Sequence, residues 1–275
     1  MKNTKTSSVL ILTECAVMIA LSTVLSILKI IDLPYGGSVT AASMLPIVIA
    51  VYRHGTLRGL GIAAVCSTLQ LLLGLNTLSY AVNWQAAVAI ILFDYIVAFS
   101  VFALAGVFRG KIKGDSYAVL LGIILSSLLR YLCHTIVGCT VWAGISIPTG
   151  AAIIYSLSYN ATYMIPETVI LAVSAVYLFS VLDFSSATPK RIKRVGSDKA
   201  SSVLALLAGA VMLSAIITDV ALVFSKLQNE ESGELDFSGI VNVNFTALIT
   251  VTLAALVICA ALVAAIKIRR QKSNA

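Results

Sequence analysis

The sequence predicts an all-α integral membrane protein, a six-helix bundle followed by two extra C-terminal transmembrane helices. Three observations carry this expectation. The 275 residues are 59% hydrophobic and only 11% charged, with a mean hydropathy of +1.00, whereas an ordinary globular chain is roughly a quarter charged. Apolar runs of about 20 residues, each long enough to cross a bilayer, recur along the whole length. Finally, all but Lys29, Arg130 and Lys226 of the 19 Lys and Arg fall in five patches. These are Lys2/Lys5, Arg53/Arg58, Arg109/Lys111/Lys113, a set from Lys190 to Lys199, and a set from Lys267 to Lys272. Two apolar stretches separate each patch from the next, which is the positive-inside pattern of a multi-pass protein with both termini cytoplasmic.

That topology gives helices over about 8–32, 39–53, 58–75, 82–108, 116–142, 150–182, 201–225 and 241–266. The first apolar segment is too long for a signal-peptide core and reads as a retained membrane helix. The second is short and contains Pro46, which is expected to bend it. The fourth carries WQAAVAIILFDYIVAF, the fifth RYLCHTIVGCTVW and the sixth YSLSYNATYMIPE. The loop after the seventh helix holds Glu230, Glu231, Glu234 and Asp236, which suits an external position. A polar, basic stretch, SSATPKRIKRVGSDKASS, divides the chain. The resulting plan is a six-helix domain over 1–183, a basic cytoplasmic linker over 184–200, and a two-helix extension over 201–275.

The net charge of +7 encodes this topology. No RNA-binding motif or aromatic platform accompanies it, so no nucleic-acid partner is expected. The five cysteines all lie in apolar segments without a CxxC pair, which reads as packing, with neither metal nor disulfide expected.

An ionisable residue inside a membrane helix marks a functional site by default. The candidates are Glu14, Lys29, Asp94, Arg130, His134, Glu167 and Asp219. Lys29 is close enough to the outer end to snorkel, with Asp32 nearby. Glu14 is open between an interfacial position and a helix contact. Asp94 lies deep in the fourth helix and needs a cation to stay ionised, either Arg130 or a cationic ligand. Arg130, His134, Gly138 and Trp142 recur every four residues and form one stripe on the fifth helix, the wall of an outward-facing pocket. Gly138 removes a side chain where something must approach closely. On the sixth helix, Tyr155 offers stacking and a hydroxyl, and Asn160 offers a donor and an acceptor. Together with Trp84, these residues suit an aromatic, hydrogen-bonding cation.

The chain resembles the ThiT family, the thiamine-binding S components of energy-coupling factor (ECF) transporters. The matching motifs are LTECAVMIALSTVLS, YGGSV followed by LPIVIAVYRHG, FDYIVAFSVFALAG, RYLCHTIVGCTVWAG and YSLSYN, in the family's order over about two-thirds of the chain. The resemblance implies an S-component bundle in the bacterial plasma membrane that binds thiamine and makes or breaks no bonds. It places the carboxylate facing the thiazolium on Asp94, where the family usually has Glu, and the pyrimidine-contacting histidine on His134. It places hydrogen-bonding groups on Tyr155 and Asn160, and aromatic walls on Trp142, Tyr95 and Trp84. An aromatic of the family's first external loop falls on Gly37, so that wall is either missing or supplied by Tyr35. The family's small-residue motif for docking the transmembrane coupling subunit falls on Ala16 and Ala20, and small residues four apart do let two helices approach closely. No cofactor is implied in this chain, which has no GxxxxGK[ST] loop; ATP is used by two separate ATPase subunits.

Three other readings remain open on the residues. One is an S component for a thiamine precursor or a related vitamin. Another is a proton-coupled standalone permease using Asp94, Glu167 and Asp219. The third is an intramembrane hydrolase using Asp94, His134 and Glu167, against which stands the lack of an HExxH or paired-aspartate signature.

Overall fold

The computed structural model describes residues 8–33, 36–141, 149–186, 188–192, 199–227 and 237–274. They form two compact units, Met1–Lys190 and Arg191–Ala275. Among the described residues, seven helices are long and apolar enough to cross a membrane, so the expected all-α membrane class holds.

In the first unit, α1 runs Ser8–Ile27, earlier to end than the apolar run suggests. The chain then turns into a small antiparallel hairpin, β1 Lys29–Asp32 and β2 Ser38–Thr40, with Ile31 opposite Val39. Next come α2, Leu45–His54, and α3, Thr56–Leu73. The second expected membrane helix is thus corrected. With 10 residues, α2 is about 15 Å long, half the roughly 30 Å hydrocarbon core. Pro46 does not bend it, because it sits in the first turn, where a missing N–H has no intrahelical partner to lose. Gly55, at φ 86, ends α2 and lets the chain reverse into α3.

The fourth long element, α4, spans Trp84–Gly106 but is not one regular helix. It opens as α-helix over Trp84–Ala89, with the Asn83 side chain accepting from Ala86 N at 2.8 Å. It then widens to π-helix over Ile90–Val97, and after one short α turn it tightens to 3₁₀ over Val101–Gly106. The last pair of this unit are α5, Asp115–Thr140, and α6, Gly150–Val181. Thr149 caps α6 by accepting from Ala152 N at 3.2 Å. The core lies where α2, fully buried at Val48 and Val51, meets Ala63 of α3, Phe102 of α4, Val119 and Ile123 of α5, and Leu171 of α6. Close approach is set by Gly122 of α5, whose absent side chain leaves room for the Ala105 carbonyl.

Glu14 turns out to make a helix contact. It pairs with Arg53 at the end of α2, and Arg53 also donates to the carbonyls of Phe184 at 2.8 Å and Ser186 at 3.1 Å. This cluster ties α1 and α2 to the chain that leaves α6.

In the second unit, α7 (Lys199–Leu227) and α8 (Phe245–Asn274) pack as an antiparallel pair. Thr252 donates to Asp219 Oδ2 at 2.7 Å, and Cys259 Sγ lies 3.3 Å from the Ala208 carbonyl. Residue numbers rise along one helix as they fall along the other, which fixes the antiparallel sense.

Candidate functional site

A cavity of about 760 Å³ opens in the first unit, enclosed by the end of α1, the β1–β2 hairpin, the segment after α3, and the facing sides of α4, α5 and α6. Its polar end is a chain of hydrogen bonds that crosses four elements. His134 Nδ1 lies 2.9 Å from Asp94 Oδ1. Arg130 Nε donates to His134 Nε2 at 3.2 Å, and Arg130 Nη1 donates to Glu167 Oε2 at 3.2 Å. Thr40 of β2 closes the chain by donating to Glu167 Oε1 at 2.9 Å.

The imidazole tautomer follows from these donors. Arg130 Nε carries a hydrogen and has no lone pair to offer, so His134 Nε2 must accept. A ring with one proton then carries it on Nδ1, facing Asp94. Two carboxylates face one guanidinium, and at the hairpin Lys29 pairs with Asp32 at 2.9 Å. Among the described lining residues, with a neutral His134, the carboxylates exceed the cations by one, and Asp94 is the carboxylate that faces no guanidinium. Such a charge at 9% exposure is costly without a cation.

Aromatic rings make much of the rest of the walls. Tyr155, Tyr159 and Tyr163 follow one another along α6 at successive turns. The first two are stacked, with centroids 6.3 Å apart and planes 10° apart. The Tyr163 ring stands edge-on to Tyr159 at 5.7 Å and to His134 at 6.4 Å. On the opposite side Tyr95 stacks parallel to Phe99 at 6.4 Å, and Phe99 in turn lies 4.2 Å below the Arg130 guanidinium.

Of the sequence candidates, Asp94, Tyr95, Arg130, His134, Tyr155 and Asn160 all line this cavity, as do Gly37 and Gly138. Asp94 falls within the π segment, a feature common where helices serve function. Tyr95 spends its hydroxyl on Thr77 Oγ1 at 2.7 Å and on the Gly74 carbonyl at 3.1 Å, so it offers the cavity a ring face.

The structure places Trp84 away from this cavity and gives the other candidates the following surroundings. Trp84 is 72% exposed and does not line the cavity. The inward side of the first turns belongs to Ala86 and Ile90, which pack on Val137 and Val141 of α5. Trp84, two residues before Ala86, is turned to the far side, where an indole suits a membrane–water boundary. At Gly138 the group that approaches closely is Ser156 of α6, whose Oγ lies too near to admit a Cβ. Asn160 already uses its polar atoms: Nδ2 donates to Ser156 O at 2.9 Å, and Oδ1 accepts from the Tyr163 hydroxyl at 2.7 Å. Gly37 leaves no missing wall. Its N–H donates to the Tyr159 hydroxyl at 3.1 Å, and a Cβ there would come within 2.9 Å of the Tyr163 ring. Trp142 and Tyr35 lie outside the described residues. Ala16 and Ala20 are both exposed on α1 and away from the cavity.

YSLSYNATYMIPE displays Tyr159 and Tyr163 beside Tyr155, but the sequence reading missed Phe99 and Thr40, whose roles depend on Arg130 and on the hairpin.

Comparison with known proteins places this geometry in context. A family model described as thiamine transporter protein (Thia_YuaJ) matches residues 12–185, a span that ends before α7. The chain is 32% identical over 201 residues to the thiamine transporter ThiT of Bacillus subtilis, covering 69% of this chain and 95% of that one. A solved structure of ThiT from Listeria monocytogenes superposes with a TM-score of 0.50 at 22% identity, over 62% of this chain and 94% of the other. At that identity the superposition shows a shared fold.

Proposed function

The chain belongs to the thiamine transporter family, and from that premise we propose that it is the substrate-binding membrane subunit of an ECF-type importer that captures thiamine from outside the cell. Family membership makes it a multi-pass membrane transport protein, not an enzyme. The observation that carries the substrate is Asp94, the carboxylate that faces no guanidinium, at the end of a cavity walled by Tyr95, Tyr155, Tyr159 and Tyr163. Thiamine joins a permanent cation to an aminopyrimidine. A carboxylate and ring faces recognise the first, and the tyrosine ring faces can also stack on the second.

Transport itself needs an energy source, and this chain has no phosphate loop. In this reading a separate transmembrane coupling subunit docks on the exposed Ala16 and Ala20 of α1, where small side chains permit close helix contact. Two ATPase subunits act through it. Both termini are cytoplasmic, as the five basic patches favour. The division into a 1–183 binding domain, a 184–200 linker and a 201–275 extension belongs to the same proposal.

The test is calorimetric titration of the purified protein in detergent with thiamine, then with pyrimidine precursors lacking the thiazolium. Saturable submicromolar binding of thiamine, and weaker binding of the neutral precursors, is expected. Preference for a neutral precursor would replace thiamine with that precursor as substrate. Uptake in cells that persists without the ATPase subunits would remove the ECF assignment.

A further inference from the structure

We propose that Arg130 and Glu167 are positioning residues: they hold His134 in the Nδ1–H tautomer, so that Asp94 keeps its negative charge while the imidazole presents a fixed edge to the cavity. The inference rests on the cation-binding reading above and deepens it, by assigning work to two charged groups that the ligand's own chemistry does not call for.

The argument starts from a puzzle of charge. A site built for a cation gains nothing by Coulomb's law from a buried arginine, which repels the ligand. Yet Arg130, 8% exposed, stands one helical turn from His134. Its directions of donation resolve the puzzle. Nε meets His134 Nε2 at 3.2 Å, Nη1 meets Glu167 Oε2 at 3.2 Å, and the guanidinium face lies on Phe99 at 4.2 Å. The planar fork is thereby held on two edges and one face. Glu167 is held in turn by Thr40 at 2.9 Å.

With Nε2 committed as an acceptor, His134 cannot take the opposite tautomer without losing both of its hydrogen bonds. A doubly protonated ring would set an N–H against the Arg130 N–H and would neutralise Asp94. Arg130 therefore guards the charge that attracts the ligand, and Glu167 offsets the charge that would repel it. Among the described residues, the Tyr163 ring edge from α6 and the Thr40 hydroxyl from the hairpin also face this cluster, with the Cys66 thiol near Arg130 and the Cys133 thiol and Tyr95 near Asp94.

The two explanations predict opposite signs. If Arg130 were only a counter-charge, Arg130→Met would leave the site more negative, and thiamine would bind more tightly. If Arg130 positions His134, binding weakens. Because the single variant leaves Glu167 buried and unpaired, the decisive protein is the double variant R130M/E167Q. It keeps the net charge of the cavity and the acceptor for Thr40, and removes the donor to His134 together with the Arg130–Glu167 pair and the Phe99 contact.

The first readout is ligand-free: ¹⁵N-histidine NMR of the full chain in detergent, with only His54 and His134 to assign and H54N identifying the former. Wild type should show His134 protonated on Nδ1 alone, and the double variant should lose that single-tautomer signature. The second readout is thiamine calorimetry, where affinity should fall about tenfold or more, the scale of losing a hydrogen bond to a charged group. A wild-type ring protonated on Nε2, or an unchanged tautomer or unchanged affinity in the double variant, overturns the inference. Should wild type bind no thiamine, the proposed substrate fails, while the NMR comparison still decides the tautomer.

Discussion

Gly37 and Tyr159, 122 residues apart in sequence, are joined by a 3.1 Å hydrogen bond from the glycine N–H to the tyrosine hydroxyl. Together with Thr40–Glu167 at 2.9 Å, this bond fastens the β1–β2 hairpin to α6 along one side of the cavity. The hairpin is too small to be stable alone, so its position depends on its packing and on contacts such as these two. A side chain at Gly37 would meet the Tyr159 hydroxyl at 2.7 Å. Gly37→Ala should therefore loosen the hairpin, with weaker thiamine binding and a lower melting temperature. Tyr159→Phe, which loses only the hydrogen bond, should cost roughly 1 kcal/mol. Thermal unfolding and calorimetry on both variants check this, and wild-type values for Gly37→Ala would show that the contact is dispensable.

Asp94→Asn keeps an acceptor for His134 Nδ1 and removes the charge. Thiamine affinity should fall by about 30-fold or more, on the scale of truncating one member of a desolvated charge pair. A neutral pyrimidine analogue should change by less than about threefold. Calorimetry with both ligands separates the outcomes, since equal losses would assign Asp94 a structural role.

Gly122 and Gly61 make a matched pair. A Cβ on Gly122 would run into the Ala105 carbonyl, whereas one on Gly61 meets nothing within 4 Å. Backbone cannot yield as a flexible side chain does, so Gly122→Ala should destabilise by about 1–3 kcal/mol. Gly61→Ala, inside α3, should be neutral or stabilising by up to about 1 kcal/mol. Melting temperatures in detergent decide, and equal shifts in the two variants would contradict the packing of α4 on α5.

Ala16→Trp places an indole on an exposed face of α1. Thiamine binding by the purified protein should be unaffected, while uptake in cells should be abolished. Lost binding would mean that α1 is disturbed internally and would withdraw the docking role.

The long helices were legible because each is an apolar run about as long as the bilayer is thick, and the basic patches punctuate them. The shorter features were not. The β1–β2 hairpin has strands of four and three residues, below the length at which alternation can be read. The second helix was legible as short, but the same limit set its start at about residue 39, inside what is β2, where α2 begins at Leu45. Within the site, the four-residue stripe on α5 correctly brought Arg130 and His134 to one cavity. The sequence did not reveal which carboxylate each would take, because both Asp94 and Glu167 were open partners for a cation. Trp84 was misplaced because three turns of separation do not make one face. Asp94 lies ten positions after Trp84, which an α-helix converts to a rotation of about 80° away from alignment.

The π segment of α4 has a further consequence. A stretch with i→i+5 bonding is what an α-helix becomes when it absorbs an additional residue without breaking. Residues before Ile90 and after Val97 are therefore indexed to different clocks, and Asp94 stands where the two readings overlap. Removing one residue between them would leave hydropathy, length and membrane insertion almost untouched, yet swing one end of the helix by about 100° against the other. The molecule's most consequential carboxylate is thus guarded by spelling as much as by composition: a deletion there is silent to the bilayer and legible only to the ligand.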